Sequence, residues 1–410
     1  MRAAVRSVLF SAIQGIDLDF VRGRYALNSG YRSDFLGLPG ATYTRAGAAT
    51  AETAAGAIIN FAANVPRITD RGVLIEEART NLLLRSQEFD NAAWTLLGGT
   101  VTANATAAPD GTTTADRFVE DTSTGFHHVT VSGMGAAGAH TASVFAKPNG
   151  RNWIVVRNEG LDTFFNVSTG AIGTVAAGAT ATISPAANGF FRCTVTRTMA
   201  SAAAITFRMA TADGVSSYTG DGTSGVFLWG AQLEAGAFPT SYIPTTGAAA
   251  TRAADVMLVG SLSSFGYPVT LVTRWSRQGG TDAATFYNVA SLERASPVNE
   301  SAIFQRHTTN DIRAFQRTNG TQEADLSCGT GSIGSVQNAA ARFASNNVAG
   351  SFNGQTVAVD SVVATPTDRP ATLCVGSRST GTTAFLCGYV NSVSVLPYAA
   401  TDAQLQALTT

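Results

Sequence analysis

Glu76 and Glu77 stand side by side in GVLIEEARTNLLLRSQEFDNAAW (72–94), a charge-dense stretch of a chain in which only 13% of residues are charged. Paired carboxylates can serve as the acid and base of a glycosidase, but that chemistry needs them facing each other across roughly 5–10 Å. Neighbours on a strand point to opposite faces, and on a helix they splay by about 100°. The extended reading of GVLIEE therefore predicts a structural role, with one carboxylate paired to Arg79 or Arg85 to pin the segment. Four histidines, His127, His128, His140 and His307, are the whole supply of neutral-pH bases. The apparent strand GFHHVTV turns His127 and His128 apart, which argues against a shared metal. No GxSxG, HExxH, P-loop or dinucleotide fingerprint occurs, and GDGTSG (220–225) lacks the Lys-Ser/Thr of a nucleotide loop. The isolated acids Asp162, Asp213, Asp221 and Asp311 leave open a hydrolase whose carboxylates meet only in three dimensions.

Sugar recognition asks for other residues: aromatic faces against the apolar side of a pyranose, with Arg, Asn or Asp completing the hydroxyl contacts in a shallow site. Along RNWIVVRNE (151–159), period two puts Ile154 and Val156 on one face and Arg151, Trp153, Val155 and Arg157 on the other. With Ile154 and Val156 inward, Trp153 and Arg157 are displayed together, flanked by Arg151. Trp153 is open to three readings: ligand platform, core residue or oligomer contact. Along DIRAFQR (311–317), Asp311, Arg313, Phe315 and Arg317 share a face, so Arg313 and Phe315 form a second glycan candidate, against the plainer reading of a solvated sheet face. In GVFLWGAQLE, Phe227, Trp229 and Leu233 suit a core.

The elements that must position these residues are strands. The 410 residues, 45% hydrophobic and with a net charge of −1, fit at least two cores and give no electrostatic reason to seek nucleic acid or anionic lipid. No run approaches the 18 apolar residues of a spanning helix, so no membrane insertion is expected, and the opening MRAAVRSVLFSAIQGIDLDF reads as neither a spanning segment nor a leader. Cys193, Cys328, Cys374 and Cys387 are widely spaced, without a zinc or disulfide signature, and read as buried thiols. Neither metal nor cofactor is expected. From about residue 95, short alternating runs separated by Gly, Asn, Asp, Ser and Thr predict antiparallel strands at 140–150, 152–160, 163–175, 189–199, 203–214 and 224–236. FPTSYIPTTGAAATRAADV (238–256) breaks the pattern as an extended connection. A second all-β unit follows, with strands at 269–276, 301–307, 311–317, 340–346, 348–357, 371–377 and 388–396 and a tight hairpin at TTN (308–310). Thr401 with Gln404 makes a capping box that opens one short C-terminal helix.

The motifs of 72–94, followed in order by APDGTTTADRF (108–118), FNVSTG (165–170), GFFRCTV (189–195) and GTSGVFLWGAQLEAGAFPTSYIPTTGAAATRAADV (222–256), resemble a module of tailed-phage virion proteins, the tail fibre, head fibre and decoration proteins. LDFVRGRY (18–25), YTRAG (43–47) and AANVPRI (62–68) are similar to the element that precedes it, and the whole spans about residues 16–256. SFNGQTV (351–357) and CGYVNSVSVLPYAATDAQLQAL (387–408) resemble, at lower specificity, a concanavalin A-like or laminin-G-like sandwich. The resemblance implies an all-β chain of two antiparallel β-sandwiches. Residues 1–75 would be an extended N-terminal docking region, 76–250 a carbohydrate-binding-module-like jelly roll, and 251–410 the concanavalin A-like sandwich with its helix. It also implies a non-enzymatic protein of the virion surface, made in the host cytoplasm. That protein would be a homo-oligomer, most readily a trimer, docked to other virion proteins through its N-terminal region and engaging host cell-surface polysaccharide. Two alternatives stand beside it, a purely structural cement or fibre-base protein and a capsule depolymerase. Many lectins of the second fold hold calcium, but no Asp/Asn cluster of that kind is evident here.

Overall fold

The computed structural model describes residues 15–28, 30–262, 265–279, 286–294, 299–364, 366 and 368–410; the opening residues 1–14, part of the stretch read above as neither leader nor spanning segment, lie outside these. The chain is all-β, built from antiparallel sheets with a short C-terminal helix. It divides into two compact units: a central one of Ala48–Phe61 with Ala78–Arg252, and a terminal one of residues up to Gly47, Ala62–Glu77 and Ala253–Thr410.

The central unit is a sandwich of two six-stranded sheets. The first runs Thr95–Leu97, His128–Met134, Ala203–Ala210, Trp153–Asn158, Leu161–Asn166, Ala171–Ile172, and the second Gly99–Thr106, Ala115–Glu120, Gly225–Ala235, Gly138–Asn149, Phe190–Met199, Ala179–Ala186. Alternation fills the space between them: Ile154, Val156 and Phe207 from the first sheet meet Val144, Val195 and Leu228 from the second, all essentially inaccessible to water. Each such side chain contributes about 1.5–3 kcal/mol by leaving water. Trp229 belongs to a smaller core with Phe145 and Tyr242, its Nε1 donating to Thr114 Oγ1 at 3.0 Å.

The motif run 72–256 owes much of its order to one frame. Asn81 is fully buried; its Nδ2 donates to Ala231 O (3.0 Å) and Ile243 O (2.9 Å), and its Oδ1 accepts from Leu83 N and Leu233 N, both at 3.1 Å. That exhausts the hydrogen-bonding capacity of an amide side chain. Ser86 meets Tyr242 through their hydroxyls (2.7 Å), and Glu234 accepts from Thr240 N and Oγ1. SYIPTT, expected as a bare connection, is thereby fastened along strand Gly225–Ala235.

In the terminal unit a ten-stranded and a seven-stranded sheet carry the chain from Val256 onward. A Cβ on Gly350 would collide with Cys328 Sγ, so the two sheets approach there on small residues. The predicted TTN hairpin joins Glu300–Arg306 to Asp311–Thr318, with Gln305 opposite Ile312. Helix Asp402–Thr409 is capped as expected: Thr401 N donates to Gln404 Oε1 and Gln404 N to Thr401 Oγ1, while Leu405 is buried against Ala400. The bounds differ from the expected 1–75, 76–250 and 251–410 because the N-terminal strands are edges and partners of these sheets. Ile16 faces Val395, Gly72–Ile75 also lies along Gly388–Leu396, and Ala41–Thr44 pairs with Val256–Val259.

Candidate functional site

On strand Trp153–Asn158, Ile154 and Val156 enter the core, so Trp153, Val155 and Arg157 take the face of the first sheet turned away from it. Register carries that face across the neighbouring strands in rows. Leu97, His128, Arg208, Val155 and Phe164 form one row, and Thr95, Thr130, Thr206, Arg157 and Asp162 the next. Five strands at roughly 4.8 Å spacing make each row about 19 Å across.

Part of this face is roofed by its own turn. Thr211 N donates to Val215 O and Val215 N to Ala212 O, closing a tight loop whose Asp213 accepts from Thr174 N (2.7 Å) and Thr174 Oγ1 (3.1 Å). Gly173 lies directly beneath: a Cβ there would come within 2.8 Å of the Trp153 ring edge. Trp153 is therefore half-buried, packed on Val155, Phe164 and Ala210 rather than standing free as a platform. The exposed ring is Phe126, at 43% exposure, with the Arg208 guanidinium carbon 3.9 Å from its centroid, well inside the range of a cation–π contact.

Asp162 sits between two guanidiniums. Arg157 Nη1 donates to its Oδ1 at 2.6 Å and Arg208 Nη1 to its Oδ2 at 3.2 Å, and Arg208 also reaches Ser216 Oγ at 3.3 Å. Among the described residues Arg157 makes no other hydrogen bond, and the buried Arg208 Nε has no partner. Burial pulls the Arg208 pKa down, Asp162 offsets part of that, and Arg157 adds to it. Burial, then Arg208, Arg157 and His127, pull His128 down to about 4, so its imidazole is neutral at ordinary pH. Next to these lie the Thr130 and Thr206 hydroxyls, 2.8 Å apart. The face thus combines fork-shaped donors, a carboxylate, hydroxyls and an exposed ring.

Sequence reasoning reached Trp153 and Arg157 but not Arg208, Phe126 or the outward place of His128. The alternation in AAITFRMA, which aligns Thr206, Arg208 and Ala210, was the signal available. Arg151 is a correction: it precedes the strand, and its guanidinium clasps Glu120 through both Nε (2.8 Å) and Nη2. Glu120, buried, also accepts from Tyr218 Oη (2.7 Å) and Asp221 N (2.8 Å). Burial works to raise its pKa, and these hydrogen bonds outweigh it and hold the carboxyl below its usual range. Arg151 is occupied at the sheet end, not displayed beside Trp153. His127, fully buried, stacks on Tyr218 with centroids 4.6 Å apart.

Arg313 and Phe315 are corrected likewise. Phe315 is only 5% exposed, its ring against Phe304 at 5.4 Å, and Arg313 is held by Asp311 (2.9 Å) and Asp325 (2.7 Å). Cross-strand packing and charge pairing account for that face. Glu76 is structural, as expected, and pairs with Arg67, 2.7 Å away, which was not one of the two arginines expected. Arg67 also donates to Asp255, which accepts from Tyr43 Oη, Arg45 Nη1 (3.4 Å) and Glu76 N (2.8 Å) in a buried cluster of the terminal unit. The four cysteines are buried thiols in no disulfide. Among the described residues no group of three or more His, Cys, Asp or Glu is placed to hold a metal ion, and no helix is long and apolar enough to cross a membrane.

Fold and face together define a β-sandwich chain whose central unit carries a polar and aromatic sheet surface. No family model matches the chain, and no curated protein does. Similar solved structures include the CBM40 module of the Ruminococcus gnavus IT-sialidase bound to α2,6 sialyllactose, at 16% identity over 35% of this chain and 83% of that one, TM-score 0.29. Domain 4 of a GH43 extracellular arabinanase from Geobacillus stearothermophilus, in complex with arabinotriose, is similar at 11% identity over 42% and 82%, TM-score 0.31. Trypanosoma rangeli sialidase in complex with the inhibitor DANA is similar at 9% identity over 72% and 60%, TM-score 0.28. The similar structures thus include a CBM40 module, an arabinanase domain and a sialidase, and at these scores what they bind or cleave is said of them. The expectation that the chain is not an enzyme is corrected on this finding: sialidases stand among its similar structures, and the exclusion of enzymatic chemistry is withdrawn.

Proposed function

We propose that the outward face of sheet Thr95–Leu97 to Ala171–Ile172 is a glycan-binding surface, displayed by a phage virion protein to polysaccharide on a host cell. The observation that carries the glycan part is the pair of cross-strand rows: the exposed Leu97 and the part-exposed His128, Thr130, Arg157 and Asp162 surround the buried Arg208, and the exposed Phe126 ring of strand Thr124–Phe126 lies over its guanidinium. A sugar offers an apolar side to the ring and hydroxyls to the forked donors, and shallow faces of this make suit it. The virion part is supported by the resemblance in motif order over 16–256. A small open site binds weakly, so attachment would rest on several copies acting together, in keeping with an oligomeric fibre or decoration protein.

A glycan array probed with the full chain tests this. Binding that falls at least fivefold in Phe126→Ala and Arg157→Gln, with unchanged melting curves, is the expected result. An array with no retained glycan, or retention indifferent to both substitutions, overturns the assignment of the face. A second reading, protein-to-protein cement, draws on the exposed apolar side chains Leu97 (51%), Val215 (44%) and Phe126 (43%). Loss of oligomer rather than of glycan binding in Phe126→Ala would favour it.

A further inference from the structure

Resting on that reading of the face, we infer that its ligand is an acidic glycan, whose carboxylate docks on Arg157 and Arg208. The argument is a charge count. Two guanidiniums share the single carboxylate of Asp162, each through one Nη1. Arg157 is part-exposed with its remaining N–H groups unused by the described residues, and Arg208, 95% buried by its 5% exposure, keeps an unpartnered Nε. A buried cation that is only half neutralised is costly unless an anion completes it, and a fork of N–H groups matches a carboxylate in geometry as well as charge.

The other charged groups near this face do not cancel the surplus. His128, opposite Arg208 in the register, is held neutral first by burial and then by the two arginines, and so adds no charge of its own. Asp213 is satisfied by Thr174 and lies at the Trp153 end of the strand, four residues from Arg157 and so about 13 Å away along it. Glu159 is paired with Arg197 at 3.2 Å. The chain as a whole carries a net charge of −1, so bulk attraction to polyanions cannot imitate the effect.

The test uses the full chain against polygalacturonate and its methyl ester, in which each carboxylate charge is replaced by a neutral ester, alongside an array holding sialylated and desialylated pairs. The expected result is preference for the acidic member of at least one pair by tenfold or more. That preference should weaken as salt rises from 50 to 500 mM and be lost in Arg157→Gln, a part-exposed substitution that should leave folding intact. Equal binding to acidic and neutral members overturns this inference and leaves the glycan reading standing. Binding to neither, across the array, overturns both. Acid preference that survives Arg157→Gln and Arg208→Gln places the anion elsewhere and overturns the inference as well.

Discussion

Asp255→Asn should be among the most damaging single changes in the terminal unit. Asp255 and Glu76 are two buried carboxylates set against two buried guanidiniums, Arg45 and Arg67, with side-chain exposures of 0–3% throughout. The cluster is neutral as built. Asparagine is nearly isosteric, but it removes one negative charge and turns an NH₂ toward donors: Asp255 accepts from Tyr43 Oη, Arg67, Arg45 and Glu76 N, and no amide can satisfy all four. Breaking a buried pair in this way costs about 3–5 kcal/mol, mostly from the uncompensated charge left behind. With a urea m-value of about 2 kcal/mol/M, that is a fall of about 1.5–2.5 M in the midpoint of the terminal unit's transition, with the slope unchanged. Urea titration of the full chain, with the two units followed by separate fluorescence or exchange probes, reads it. A midpoint shift under about 0.5 M would refute the reasoning, because it would mean that the cluster is hydrated or that the second carboxylate suffices. Pairing Asp255→Asn with Arg45→Met should recover part of the loss, since it removes one cation and leaves Arg67 with Glu76.

Asn81→Ala should cost the central unit about 2–4 kcal/mol, because it leaves two backbone carbonyls and two backbone N–H groups without the amide that meets them. Hydrogen exchange at Leu83 and Leu233 should quicken first, and unchanged protection there would refute the frame. His128 should titrate near 4 rather than 6.5 by NMR, and Arg208→Gln should move it upward by removing the second of its causes while burial, the largest, persists. The sign follows from linkage: with the folded value depressed, the group's contribution is fully present above about 6.5 and is lost as pH falls through about 4. A titration near 6.5 in the folded chain would show that the face carries no such field.

Six strands of the central unit were legible because they alternate, though 163–175 is two strands, Leu161–Asn166 and Ala171–Ile172, and Gly99–Thr106, Ala115–Glu120 and Ala179–Ala186 were not among those expected. Thus 140–150 is strand Gly138–Asn149 and 203–214 is Ala203–Ala210. Ile16–Asp19 and Ala41–Thr44 were not, since four residues carry little periodicity and their partners, at Val395 and Val256–Val259, lie more than two hundred residues on. Arg67 stands nine residues before Glu76, as far off as Arg85 stands after it, and it reaches Glu76 because the chain turns back through Ile68–Thr69. For the site, alternation on one strand selected Trp153 and Arg157, and that much can be read from any strand. What makes a surface of them is register, which sets Arg208 opposite Val155, and Thr206 and Asp162 on either side of Arg157. A slip of one residue would send Arg208 into the core and Phe207 out. Register here is fixed by the buried faces, Phe207 on Val156 and Ile205 on Asn158, and so by packing that has nothing to do with ligand. The two arginines meet on one carboxylate because the core forces their strands into line. Substitutions in the core opposite this face should therefore disturb binding through alignment, before any side chain on the face itself is changed.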